Sequence, residues 1–225
     1  MITIAARPRT LVLTVTAAEI EAVVLDPAGV TVGGRVRVPR AADAVPDLQA
    51  LGPQLDPLGE FDRITVSTGP GLGAAWDATA LTRELERQSL RPVRVVPTAE
   101  LRYRGVIRRE GVELVLALGA ALESWLFVDG THVPGLALGA HPFRKGKTYA
   151  EYLAPRVVER KGRRAWNRRL ERVLATVLEV WHPATLYLAG AGAALVDGEL
   201  PATVVVVREL PGLDAAIAVW HPPPS

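Results

Sequence analysis

Residues 163–181 carry the strongest periodic signal in the chain. Trp166, Leu170, Val173, Leu174, Val177, Leu178 and Trp181 fall at i, i+4, i+7, i+8, i+11, i+12 and i+15, one apolar stripe along a helix. Arg164, Arg168, Arg169, Glu171 and Arg172 fill its other face. A stripe of that length has to be buried against a second layer. The flanking segments supply one: residues 113–118, 122–128 and 131–134 read as successive strands, with Asp129-Gly130 as a turn. Residues 186–189 and 203–207 read as buried-type strands.

The N-terminal half states the same theme. Residues 11–15 and 20–25 are β-branched runs on either side of Thr16-Ala17-Ala18-Glu19, a hairpin, and Asp26-Pro27-Ala28-Gly29 turns the chain into a third strand, 30–38. A short helix is predicted over 45–51, a loop over 52–59 and a strand over 64–66. That strand ends in Ser67-Thr68-Gly69-Pro70-Gly71-Leu72-Gly73. The spacing of Leu81 and Leu85 predicts a helix over 74–89, followed by a strand over 91–96 and a helix from Pro97 to about 107. Helical pattern returns over 148–160 and closes the chain over 213–220. The order βββ–α–β–α–β–α occurs once in full and once in part. It predicts a duplicated α/β architecture of two lobes, 1–109 and 110–225, with a central cleft and a last helix that packs back on the first lobe.

Composition narrows the chemistry. The 225 residues contain no cysteine, which removes disulfides, thiol nucleophiles and Cys-based zinc sites together. Lys and Arg number 26 against 24 Asp and Glu, so the net charge of +2 says little about partners. Ala5-Ala6-Arg7-Pro8-Arg9 interrupts any signal peptide and no apolar run has the length of a membrane span, so a soluble cytoplasmic protein is expected. His132, His182 and His221 lack metal-ligand spacing, and no metal site is expected from them.

Local charge is more informative. His141-Pro142-Phe143-Arg144-Lys145-Gly146-Lys147-Thr148-Tyr149-Ala150-Glu151-Tyr152-Leu153 reads as a loop that carries cations into the start of a helix. Arg156, Arg160, Lys161, Arg163, Arg164, Arg168, Arg169 and Arg172 extend the cluster. It is open to three readings: a solvated face, a polyanion site, or a nucleic-acid surface. The last ranks lowest, because no aromatic platform interleaves the charges.

Residues 113–118, the His141 loop, Glu159-Arg160-Lys161-Gly162-Arg163-Arg164-Ala165-Trp166-Asn167-Arg168-Arg169 and Thr185-Leu186-Tyr187-Leu188-Ala189-Gly190 resemble the ROK sugar kinases. The resemblance is greatest to the polyphosphate-glucokinase-like branch, with its HPFRKGxTYEEYL and WNRR signatures, and residues 212–220 fit as well. It implies the actin-like ATPase (ribonuclease H-like) fold, a phosphoryl donor (ATP or polyphosphate, with magnesium) and a hexose hydroxyl as acceptor. Under it Arg144, Lys145 and Lys147 become candidates for phosphate or polyanion binding, and His141 for sugar.

The family's reacting groups are replaced. D-x-G-G-[ST] reads Thr14-Val15-Thr16-Ala17-Ala18, so a magnesium-holding carboxylate becomes Thr14 and both phosphate-approaching glycines are lost. The catalytic Asn-Asp pair reads Pro97-Thr98, and loss of a general base costs on the order of 10² to 10⁴ in rate. Glu100, aligned with a second family Asp, is the candidate substitute base. G-T-G-x-G reads Gly119-Ala120-Ala121-Leu122-Glu123. A carboxylate about 4 Å from a phosphate costs roughly 4 kcal/mol at an effective dielectric of about 20. The sugar-binding E-x-x-H reads Ala137-Leu138-Gly139-Ala140, and G-G-G-N reads Ala189-Gly190-Ala191-Gly192. ROK zinc motifs need cysteines, which are absent.

These departures predict a catalytically degenerate ROK protein that binds or regulates, needs no cofactor, and has a polyanion or protein partner; a homodimer is also open. The enzyme alternative is a residual glucokinase using magnesium with ATP or polyphosphate. A second alternative rests on residues 67–71, which resemble a loop of the non-catalytic partner subunits in tRNA threonylcarbamoyl-adenosine synthesis.

Overall fold

The computed structural model describes residues 8–40, 44–69, 72 and 76–221. The chain divides into two compact units, Met1–Gly105 with Pro211–His221, and Val106–Leu210 with Pro222–Ser225.

The first unit holds β1 (Thr10–Val15), β2 (Glu19–Leu25), β3 (Thr31–Pro39), α1 (Ala44–Leu51), β4 (Arg63–Thr68), α2 (Ala78–Ser89), β5 (Val93–Pro97) and α3 (Thr98–Arg104). Its sheet runs β3-β2-β1-β4-β5, antiparallel through the first three strands and parallel from β1 to β5. The first hairpin closes locally: Thr16 Oγ1 accepts from the N–H groups of Ala18 and Glu19 and donates to Glu19 O. Alternation then sorts the side chains onto two faces. Leu11, Leu13, Val15, Ile64 and Val66 pack with Leu48, Leu51, Leu81 and Leu85 of α1 and α2. Val12 and Val96 pack with Leu101 of α3 and with Ala216 and Ile217 of the closing helix (Ala215–Ala218). Trp220 fastens that closing segment. Its Nε1 donates to Thr65 Oγ1 at 2.8 Å, and the guanidinium groups of Arg63 and Arg94 lie 5.1 and 4.7 Å from its ring centre.

The second unit holds β6 (Val112–Leu118), β7 (Leu122–Val128), β8 (Thr131–Val133), β9 (Pro142–Arg144), β10 (Lys147–Thr148), α4 (Tyr149–Leu153), α5 (Arg156–Lys161), α6 (Arg163–Trp181), β11 (Thr185–Ala189) and β12 (Val204–Val206). Its main sheet runs β12-β11-β6-β7-β8. β6-β7-β8 is an antiparallel meander, and β11 and β12 add in parallel beside β6. This is the pairing of the first unit strand for strand, so the duplication inferred from element order is present in the topology. The α6 stripe buries Trp166, Leu170, Val173, Leu174 and Val177 on Leu114, Leu116, Leu186 and Leu188.

Several elements differ from expectation. The predicted helix over 148–160 is two helices, because Pro155 drives Ala154 to ψ 145° and breaks the run. The predicted helix from Pro97 stops at Arg104, with Gly105 as its cap. There a Cβ would lie 2.9 Å from Pro211 and 3.0 Å from Ala215. The 213–220 pattern gives only one turn of helix, Ala215–Ala218, and the 52–59 loop winds into two 3-10 turns, Gly52–Gln54 and Asp56–Leu58. The turn residues Pro70, Gly71 and Gly73 and the predicted helix start at Ala74 and Ala75 lie outside the described residues. Among the described residues no helix is long and apolar enough to cross a membrane.

Candidate functional site

In the second unit, β6 and β11 end side by side, and glycines let the next loops press onto them. Gly190 sits at φ +81°, where a Cβ would lie 2.8 Å from Leu118 O; one on Gly192 would lie 2.7 Å from Leu118 Cβ. The 3-10 turn Ala191–Leu195 therefore lies directly on the end of β6. Gly119 N–H donates to Ala121 O, closing the turn into β7. These segments enclose a cavity of about 310 Å³. Leu118, Leu122, Leu153 and Trp166 are its buried floor, and Ala120, Ala121, Ala191 and Pro155 its exposed rim. Every lining residue is Leu, Ala, Gly, Pro or Trp.

The Trp-Asn-Arg-Arg run turns out to be the frame of this cavity. Trp166 Nε1 donates to Leu153 O at 2.8 Å. Asn167 donates to Leu195 O and accepts from Asp197 N–H at 3.0 Å. Arg163 donates to Leu195 O and Val196 O, while Arg169 donates to Tyr152 O with its guanidinium 4.9 Å from the Tyr152 ring centre. Arg172 reaches the Tyr152 hydroxyl. Three arginines of the basic cluster are thus committed to holding backbone and rings. Among the described residues Arg144, Lys145, Lys147, Arg156, Arg160, Lys161, Arg164 and Arg168 are exposed and have no side-chain partner.

Arg144, Lys145 and Lys147 sit on the β9-β10 hairpin, where the sequence predicts a loop. Lys145 at φ +57° and Gly146 at φ +67° make its two-residue turn. Phe143 ties the hairpin to Tyr149 and Tyr152, with ring centres 4.3 and 5.0 Å apart. Thr148 and Glu151 form a reciprocal capping box that starts α4. His141 is exposed, its Nδ1 2.9 Å from Pro142 O.

Ala137 and Ala140, where the resemblance places sugar ligands, line a neighbouring groove of about 610 Å³ with Glu123, Ser124, Trp125, His132 and Thr148. His141 is not among its lining residues. Ser124 binds the groove's loop by donating to Leu136 O and accepting from Leu138 N–H. The imidazole of His132 lies 5.0 Å from the Trp125 ring and 5.5 Å from Phe127. That pairing has only a weak sequence signal, the i and i+2 aromatics of one strand opposite a His on the next.

In the first unit the ends of β1, β4 and β5 gather Thr14, Ser67 and Thr98. Thr14 is in register with Ser67, and Ser67 Oγ lies 2.8 Å from Thr98 Oγ1. Pro97 ends β5 beside Thr68 and caps α3. Glu100 is buried on α3 and takes the Nε–H of Arg104 at 2.8 Å. Hydroxyls hydrogen-bonded to one another are neutral at ordinary pH and accept a proton only weakly.

Among the described residues neither set offers a cluster of carboxylates for magnesium, and the cavity lining holds no cationic side chain for a nucleotide or polyphosphate. A phosphate placed in the 310 Å³ cavity would lose water without gaining a donor side chain or a cation. The described residues contain no group of three or more His, Asp or Glu arranged to hold a metal ion.

Two five-stranded sheets of one topology, each meander extended by parallel strands, define the actin-like ATPase fold. No protein-family model matches the chain, and no curated protein matches it. Among solved structures it is similar to the inorganic polyphosphate/ATP-glucomannokinase of Arthrobacter sp. strain KM at 19% identity and a TM-score of 0.59, covering 96% of this chain and 100% of that one. A ROK family protein from Streptococcus pneumoniae TIGR4, in complex with sucrose, matches at 12% identity and a TM-score of 0.65, over 94% and 97% of the two chains. A ROK family transcriptional regulator, homologous to the E. coli Mlc protein, matches at 10% and 0.60, over 94% and 77%. At these identities the likeness is one of fold, and the fold is that of the ROK sugar kinases.

Proposed function

We propose that this chain is a ROK-like protein that binds a ligand without transferring a phosphoryl group, and works as a binding or regulatory subunit. The observation that carries this reading is the turn 118–122: where the resemblance expects a phosphate cradle, the turn helps wall a cavity whose lining has no charged side chain. Phosphoryl transfer depends on charge stabilisation and positioning, so such a surface works against it. The hydroxyl cluster of Ser67 and Thr98, and the pairing of Glu100 with Arg104, support the same reading. That the fold also serves a transcriptional regulator is consistent with a role without turnover.

The second reading, a residual polyphosphate or ATP glucokinase, has one observation in its favour. The β9-β10 hairpin presents Arg144, Lys145 and Lys147 to solvent, and a protein of this fold is a polyphosphate/ATP-glucomannokinase. The test is glucose phosphorylation with magnesium, in parallel with ATP and polyphosphate, beside a Glu100→Gln variant. No turnover with either donor is expected. Turnover that disappears in Glu100→Gln overturns the binding reading and makes Glu100 the relocated base.

A further inference from the structure

The first unit holds a cavity of its own, at the end of the sheet opposite Thr14, Ser67 and Thr98. Leu11 and Ile64, near the starts of β1 and β4, form its floor with Leu13, Leu48, Leu51 and Leu85, all of them buried. The volume is about 450 Å³. An apolar cavity of roughly 150 Å³ is enough to hold benzene, so this one takes a phenyl ring and several methylenes besides. A hydrocarbon body placed there gains its transfer free energy from water.

The mouth is polar, and what it offers is acceptors. Asp56, Glu60 and Gln88 line the cavity and are exposed. Neither carboxylate has a side-chain partner among the described residues. Gln88 spends its Nε2 on Glu84 at 2.6 Å, which leaves its amide oxygen. Ser89 lines the cavity too, but its hydroxyl donates to Leu85 O and accepts from Arg91 N–H. Helix α2 ends here, and the last carbonyls of a helix carry a partial negative charge. No Lys, Arg or His lines the cavity, and Arg87 of the same last turn is paired with Glu84 at 2.7 Å. Two carboxylates, an amide oxygen and a helix C-terminus around an apolar pit complement a single sign of charge. We infer that this cavity binds an amphipathic amine, its hydrocarbon body on Leu48, Leu51 and Leu85 and its ammonium at Asp56 and Glu60. The site goes beyond the binding reading above and stands whether or not the chain phosphorylates glucose.

The experiment titrates phenylbutylamine, phenylbutanol and phenylbutyrate, alike but for the head group, into the isotope-labelled chain and follows backbone amides by NMR. The amides of Gly52 and Gly59, which line this cavity, report the site; those of Gly119 and Gly192 report the cavity of the second unit. Phenylbutylamine should shift the first pair and bind several-fold more tightly than the alcohol. Asp56→Asn and Glu60→Gln should each weaken the amine about two- to fivefold, the worth of one exposed ion pair, and leave the alcohol unchanged. Filling the mouth, by Leu55→Trp or Gln88→Trp, should abolish the ligand-induced shifts while circular dichroism stays native; two variants are used because either alone could disturb the loop. Binding that survives both filled variants, or shifts confined to Gly119 and Gly192, overturns the site. Equal affinity for amine and alcohol, or indifference of the amine to the double variant Asp56→Asn/Glu60→Gln, overturns the ammonium contact. Tighter binding of phenylbutyrate than of phenylbutylamine overturns the ligand class. Glucose phosphorylation is read separately, so turnover would defeat the functional reading without altering this result.

Discussion

Glu113 is fully buried at the entry of β6, and its carboxylate gathers four donors. Oε1 accepts from Arg108 N–H at 2.7 Å and from the Tyr187 hydroxyl at 2.7 Å; Oε2 accepts from Arg109 N–H at 2.6 Å and Glu110 N–H at 3.3 Å. Glu113→Gln keeps the shape but leaves one oxygen, and turns an amide N–H₂ toward one of the two donor pairs. Hydrogen bonds to a charged acceptor are worth about 1.5–3 kcal/mol each, and a buried donor left unmet costs about 1–3 kcal/mol. Arg108 and Glu110 are exposed residues whose N–H groups can turn to water, so the full sum is not reached. A loss of about 3 kcal/mol is expected. Urea unfolding followed by circular dichroism measures it. Glu113→Leu, which removes the acceptor altogether, should cost at least as much, and the double variant Glu113→Leu/Tyr187→Phe should recover part of the loss. A Glu113→Gln variant within about 0.5 kcal/mol of wild type would refute the reasoning, since it would mean the four donors already reach water.

Burial, and then the hydrogen bond to Glu113, push the Tyr187 hydroxyl up to about 12. A folded-state pKa above the ordinary value of about 10 gives stability that is full below about pH 10 and lost as pH rises through about 12. Tyr187→Phe should therefore flatten the alkaline arm of a stability–pH profile, and an unchanged slope would contradict it. Trp220→Ala removes the Thr65 hydrogen bond and two stacked guanidinium groups, so a loss of about 2–3 kcal/mol and early proteolytic cleavage of 211–221 are expected. Wild-type resistance in that variant would show that the closing helix holds without its anchor.

Elements governed by local periodicity were legible in the sequence. Helix α6 follows from the sequence to its end residues because its stripe is long and uninterrupted, and the first meander because its runs alternate between clear turns. Pro155 could have been read as the break between α4 and α5, since a proline constrains the residue before it whatever the tertiary setting. Thr148-x-x-Glu151 likewise has the form of a capping box. The β9-β10 hairpin was harder to see, because its strands are three and two residues long and Lys145, not Asn or Asp, occupies the left-handed first turn position.

The sequence by itself determined most of the strands and long helices, their duplicated order, and the absence of cysteine chemistry, because these follow from residue types and spacings a few positions long. Only the tertiary structure decided what the signature residues do. Trp166, Asn167, Arg163 and Arg169 proved to be braces, and the 118–122 turn proved to wall an apolar cavity, because both depend on which backbone lies opposite: Leu153, Leu195 and Tyr152 in one case, Ala191 and Gly192 in the other. Those partners are distant along the chain, and loops pressed together by glycines leave no periodic trace of what they enclose.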